Sequence, residues 1–178
     1  MNPFDIINKY YKKETKLYNI YISHVTDVTN KALSIAQRHP ELAIDVHFLE
    51  EAGLLHDIGI FMTKAPQIAC KGKYPYISHG YLGRELLTEE GYPRHGLVCE
   101  RHTGTGLTLE TILQRKLPIP HRDMQPQTME EKIICFADKF FSKSKLGKEK
   151  SVKKIRSNLG KHGKHQILKF DEWCEMFL

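Results

Sequence analysis

The sequence predicts an all-α protein folded as one helical domain. Apolar residues recur at the three-to-four spacing of amphipathic helices through most of the chain. No stretch sustains the alternation of a half-buried strand, and helix caps and breakers punctuate the apolar stripes. The 178 residues can bury a substantial core, and 40% hydrophobic with 27% charged residues is an ordinary globular composition.

The first long helix is expected from about Thr15 to Arg38, where Leu17, Ile20, Tyr21, His24, Val28, Ala32 and Ile35 form one stripe. His24 lies inside that stripe and points inward. His39-Pro40 stops the helix. A second helix is expected over 41–58, with Ala52 and Gly53 leaving room for close approach one turn before His56-Asp57, and Gly59 ending it. Residues 60–77 carry Pro66, Gly72 and Pro75 and read as a loop. Ser78 is placed to cap a helix over 79–90, closed by Gly91, and Pro93 suits the first turn of the next, which carries Leu97, Val98 and His102. Thr103-Gly104-Thr105-Gly106 reads as a flexible strip, and 114–127, with Pro118, Pro120 and Pro126, as a long loop. Thr128-Met129-Glu130-Glu131 spells a capping box that opens a helix to about Phe141, with Asp138 on its apolar side. Val152, Ile155 and Leu159 suggest a short helix. Phe170, Trp173, Met176 and Phe177 suggest a last one that docks on the body.

The net charge of +6 is unevenly placed: residues 142–169 hold ten Lys/Arg and one acidic residue, Glu149, while the rest is slightly acidic. Such a stripe is either a solvated face or a surface for nucleic acid or anionic substrate. No apolar run approaches the ~18 residues of a membrane span. The opening residues lack a secretory layout, and Cys70, Cys99, Cys135 and Cys174 are scattered without a Cys-x-x-Cys pair. These features lead us to expect reduced thiols in a cytoplasmic protein that makes no membrane contact. Oligomeric state leaves no signal.

His56 and Asp57 stand adjacent at the end of an apolar segment, and burying both costs several kcal/mol unless each has a partner. His24, His79, His102 and Asp138 lie around them near helix ends or on inward faces. A metal would satisfy all six. Imidazole and carboxylate donors without thiolate suit iron, manganese, zinc or nickel more than calcium. Six donors exceed what one catalytic ion takes, since catalysis needs an open position, so two ions sharing a carboxylate fit better.

Helical His, then His-Asp, then Asp resembles the HD-domain metal-dependent phosphohydrolase superfamily, and His56-Asp57-Ile58-Gly59 looks like its HDIG variant. The resemblance covers roughly residues 18–141. Glu100-Arg101-His102-Thr103-Gly104-Thr105-Gly106 and Glu130-Glu131-Lys132-Ile133 with Ala137-Asp138-Lys139 are similar to uncharacterised prokaryotic HD proteins. It implies a single HD helical bundle over 1–141 with a basic helical extension over 142–178 packed on it. His24, His56, Asp57 and Asp138 would hold the first divalent ion. Asp57 would bridge, and His79 and His102 would hold the second, as in the dinuclear branch. The ions would be iron or manganese, with zinc, nickel, cobalt or magnesium as alternatives.

The implied activity is hydrolysis of a small-molecule phosphoester, nucleotide-like, by a metal-activated hydroxide. Asp57, Lys139 and Arg101 would be catalytic, and Lys64 and Arg84 would contact substrate phosphate. The HD-GYP enzymes of the superfamily carry a lysine just after the HD pair. Here Ile60 and Phe61 follow Gly59, which argues against a cyclic dinucleotide. Asp27, one turn beyond His24, is either an acceptor that orients it or a solvated charge. Two other classes fit the same letters: a dinuclear-iron oxygenase of the same fold, and a non-catalytic nucleotide or RNA binder using the basic tail.

Overall fold

A computed structural model describes residues 1–178. Nine α-helices follow one another: α1 (Pro3–Tyr10), α2 (Lys16–Arg38), α3 (Val46–Leu55), α4 (His79–Glu89), α5 (Pro93–Arg101), α6 (Leu109–Gln114), α7 (Met129–Asp138), α8 (Val152–Gly160) and α9 (Lys164–Phe177). The all-α expectation holds, with one exception. Within 60–77, β1 (Lys64–Ala65) and β2 (Cys70–Lys71) pair antiparallel as a minimal hairpin. No helix is long and apolar enough to cross a membrane. All four cysteines are free thiols.

Local chemistry explains most boundaries. Thr15 accepts a hydrogen bond from Tyr18 N–H and starts α2. The capping box of α7 is complete, with Thr128 and Glu131 satisfying each other's backbone donors. Gly91 adopts φ +88° just past α4, as a terminating glycine should.

Four expectations need correcting. The second helix starts at Val46, not Glu41, because Asp45 caps it through Phe48 N–H after a 3₁₀ turn at Pro40–Leu42. It ends at Leu55. Gly59 therefore does not terminate it but sits in a following 3₁₀ turn, Ile58–Met62, where an added Cβ would lie 2.3 Å from the His79 carbonyl. That glycine lets the turn press against the start of α4. Ser78 precedes α4 but makes no capping hydrogen bond. The seventh helix stops at Asp138 rather than Phe141. The N-terminal α1, capped by Asn2 with Pro3 in its first turn, escaped the sequence reading.

Two apolar clusters make the core. One joins Val28, Ala32 and Ile35 of α2 to α3, α7, α8 and α9. The other joins Ile20, Tyr21 and Val25 of α2 to α1, Leu55, the 3₁₀ turn, Leu86 and Leu87 of α4, and Cys99. The long α2 runs through both, and His24 falls where they meet. Between α7 and α9, Phe136 faces Phe170 and Phe177, each with ring centroids 5.3 Å away. This places the C-terminal helix in the same core as α2 and α7.

Side chains finish the end of α3, whose last carbonyls lack helical partners. Gly53 C=O accepts from His56 Nδ1, Leu54 C=O from Tyr21 Oη at 2.7 Å, and Leu55 C=O from Cys99 Sγ. Tyr11 Oη donates to Ile58 C=O at 2.8 Å. Gly53 itself lies against α2, where an added Cβ would meet Thr29 Oγ1 at 2.6 Å.

Arg101, at the end of α5, donates to both Glu131 carboxylate oxygens, at 2.8 and 3.1 Å. The pair is nearly buried, so it ties α5 to the start of α7.

Two stability measurements follow. Phe170→Ala should lower unfolding free energy by about 3–5 kcal/mol in urea titration, within one cooperative transition. A separate, unshifted transition for the body would show that α9 is not part of its core. Arg101→Met should cost about 2 kcal/mol by stranding the buried Glu131 charge. Unchanged stability would free Arg101 for another role.

Candidate metal centre

Each of the six predicted ligands sits at or near a helix end or inside α2. His24 projects from mid-α2, His56 and Asp57 follow α3, His79 opens α4, His102 follows α5, and Asp138 ends α7. All are buried except Asp138, which is 13% exposed. The fold brings all six together as two sets whose ligand atoms lie within 4.8 Å of one another: His24, His56, Asp57 and Asp138, and Asp57, His79 and His102.

Asp57 belongs to both sets and divides its oxygens between them. Its Oδ2 lies 3.1 Å from His24 Nε2 and 3.3 Å from His56 Nε2. Its Oδ1 lies 3.5 Å from His79 Nε2 and 3.4 Å from His102 Nε2. Asp138 Oδ1 closes the first set, 3.0 Å from His24 Nε2 and 3.6 Å from His56 Nε2.

Three imidazoles are oriented identically. His56, His79 and His102 each place Nδ1 at 2.7 Å from the carbonyl three residues earlier, those of Gly53, Tyr76 and Cys99. Nδ1–H donates there, so in the neutral ring each Nε2 directs its lone pair at the cluster. His24 has no such partner, and Asp27 does not supply one: His24 Nδ1 is buried without a hydrogen bond.

The donor set fits a cation. His24 Nε2, His56 Nε2 and Asp57 Oδ1 are buried without a hydrogen-bonded partner, despite their short mutual distances, and Asp57 Oδ2 has only the Lys143 ammonium. Acceptors crowded in the interior with nothing to accept from are costly unless a cation sits among them. A divalent transition-metal ion would take such nitrogen and oxygen donors.

Electrostatics follow the same layout. Burial alone would raise the Asp57 and Asp138 carboxyls. Lys143 and His56 hold Asp57 well below the usual carboxylate range, and Lys139 with His24 and His56 does the same for Asp138. Burial lowers His56, but Asp57 and Asp138 outweigh it and carry the imidazole up to about 9. His79 is pushed down to about 3, chiefly by burial, and His102 is lowered by burial too. His56 thus favours its charged form, whereas His79 and His102 favour neutral imidazole.

A cavity of about 380 Å³ opens beside these ligands. His79, His102 and Asp138 form part of its wall, with Lys139, Lys143 and Lys150. Lys139 Nζ donates to Asp138 Oδ2 at 2.8 Å and to His102 C=O at 3.0 Å. Lys143 Nζ lies 2.5 Å from Asp57 Oδ2. Sequence reading did not single out Lys143. Its only signal was membership of the basic run, five residues past Asp138.

The other predicted cations are elsewhere. Arg84 pairs with Glu100, which Arg122 also holds, so it braces α4 against α5. Arg101 is engaged with Glu131. Lys64 is exposed on the hairpin and does not line the cavity. His95, seven residues before His102, points away from the ligands and meets Glu51 Oε2 at 3.0 Å. Gly104 does line the cavity, whereas Gly106 is pressed against Gln125 and Pro126.

The chain is 33% identical over 145 residues to an uncharacterised protein of Methanocaldococcus jannaschii, a match covering 79% of this chain and 78% of that protein. It is also similar to two proteins named tRNA (cytidine(56)-2'-O)-methyltransferase. That of Picrophilus torridus is 33% identical over 129 residues, and that of Thermoplasma volcanium 30% over 132. These matches take in 72% and 74% of this chain but only 33% and 34% of the two relatives. No solved structure matches the chain. The HD-domain family model matches residues 21–142, which runs from the turn of α2 before His24 to just past Asp138 and so encloses all six clustered residues: the chain belongs to the HD-domain family.

Proposed function

We propose that this chain is a divalent-metal phosphohydrolase that cleaves a nucleotide-like phosphoester, with a two-ion centre of iron or manganese. One observation carries the reading: a single buried carboxylate, Asp57, turns one oxygen to each of two imidazole sets. His24, His56, Asp57 and Asp138 would hold one ion, and Asp57, His79 and His102 the other. Bound there, the ions would supply a nucleophilic water and neutralise charge on the phosphoryl oxygens.

The chain's own groups do the rest. The carbonyls of Gly53, Tyr76 and Cys99 fix the ring orientation of three ligands, so ligand geometry needs no reorganisation when substrate arrives. Lys139 steadies Asp138 and, on the cavity wall, faces the place where a phosphate would enter. Lys143 supplies a second ammonium at Asp57. Phosphoryl transfer needs chiefly positioning and charge stabilisation, which such a set provides. Lys139 and Lys143 line the cavity whereas Arg84 and Arg101 do not, so the two lysines are better placed to meet the substrate. The names of the two longer relatives, which join a similar segment to a tRNA-modifying name, support a nucleotide-containing substrate over a simple sugar phosphate.

Metal counting and turnover test this together. Anaerobically purified protein should carry about two ions per chain, falling to about one in a His79→Ala, His102→Ala double variant, with Asp57→Ala depleting both positions. Manganese-loaded protein should hydrolyse bis-p-nitrophenyl phosphate, and His56→Ala should abolish that hydrolysis. Full turnover by His56→Ala or Asp57→Ala would end the proposal. Oxygen uptake with substrate, without phosphate release, would replace it with oxygenase chemistry.

A further inference from the structure

The basic segment does not scatter over the molecule. It begins at the mouth of the cavity and continues away from it. Ser142, Lys143, Ser144 and Lys150 line the cavity from the loop between α7 and α8, and Asn158 lines it from α8. Lys154 is one helical turn before Asn158 on the same side of α8, and Lys161 lies one turn beyond. Lys145, Lys148, Lys153, Lys154, Lys161 and Lys164 are all exposed.

Two acids close to this face in the chain are already paired. Glu149, the one acidic residue of 142–169, is drawn to Lys31 at 2.6 Å, and Asp171 of α9 pairs with Arg156. The six lysines named above have no ion-pair partner, whereas Lys31, Lys139 and Lys143 do. Meanwhile α8 turns Ile155 and Leu159 inward, so this face presents charge without the apolar stripe that a membrane surface would need.

We infer that this lysine face is a track for a single-stranded polynucleotide whose terminal phosphate enters the metal cavity. The inference rests on the phosphohydrolase reading above. Exposed lysines bind a nucleic-acid backbone by releasing its counterions. A duplex cannot reach ligands that are buried, whereas a strand end can. Tyr76 and Phe141, both on the cavity wall, offer aromatic faces on which an end base could stack. At the end, water's oxygen forms a new P–O bond, the P–O ester bond to the terminal sugar breaks, and the leaving sugar oxygen takes the proton that the water gives up.

The test uses full-length protein and fluorescently labelled single strands of RNA, and of DNA with the same sequence, followed by anisotropy across salt. Anionic phosphatidylserine vesicles form a third arm. Strand binding should weaken steeply with salt. A Lys148→Gln, Lys154→Gln, Lys161→Gln triple variant should bind roughly 10-fold more weakly, with a log–log salt slope shallower by about 2. Its hydrolysis of bis-p-nitrophenyl phosphate should be unchanged, while kcat/KM on an end-phosphorylated strand should fall with binding. Tighter binding of RNA than DNA would assign the strand as RNA, and equal binding would assign recognition to the shared backbone. Salt-independent binding, an unaffected triple variant, or preference for vesicles would overturn the track. Lysine-dependent strand binding without any phosphoester hydrolysis would keep the track and remove the reading beneath it.

Discussion

A carboxylate with no exposed surface, placed where two apolar cores meet, is the constraint around which this molecule is arranged. Asp57 keeps its charge although burial opposes ionisation. An isolated buried charge would be costly enough to unfold a small domain, so the surrounding elements must bring compensation to both of its oxygens. They do so from five places in the chain: α2, the end of α3, the start of α4, the end of α5, and the segment from α7 to Lys143. Each of these elements has its apolar reason to be there. None of those reasons would require its terminal residue to be histidine, aspartate or lysine.

The second apolar cluster, around Tyr11, Tyr21 and Cys99, gives this arrangement its rigidity. Tyr11, Tyr21 and Cys99 hold the carbonyls of Ile58, Leu54 and Leu55, so the backbone on either side of His56-Asp57 is pinned by side chains of three other elements. A loosely packed turn at the same place would let the carboxylate rotate and lose the division of its two oxygens. Gly53 and Gly59 permit the close packing that makes pinning effective, each at a spot where a methyl group would collide with a neighbour. The family's short signature therefore encodes backbone clearance as well as ligands.

Helices and ligand types were legible because both depend on local chemistry. The stripe through His24 and the capping box at Thr128 are statements about three or four neighbouring residues, and the structure reproduces them. Partners across the fold were not legible. Arg84 and Arg101 look like free cations in the sequence, yet Glu100 and Glu131, from positions no periodicity connects to them, occupy both. Lys143 was lost for the opposite reason: it lies among many lysines, in a stretch with no regular structure, and only the path of the chain past Asp138 brings it to Asp57. The late start of α3 follows from Asp45 and the 3₁₀ turn before it, a competition between caps that spacing alone does not resolve.

Lys143 also changes how the missing motif lysine should be weighed. The residues just after His56-Asp57 are Gly59, Ile60 and Phe61, and Gly59 and Ile60 are buried against neighbouring elements, leaving no room for an ammonium group there. The cation at Asp57 instead arrives from the loop after α7, held in part by Lys150 Nζ donating to the Lys139 carbonyl at 2.8 Å. That loop is the first part of the basic extension, whose last helix is anchored in the core by Phe170 and Phe177. A charge supplied from within a motif is fixed by the motif. A charge supplied from an extension is fixed only as firmly as the extension is docked, so in this chain the packing of α9 bears directly on the electrostatics at Asp57.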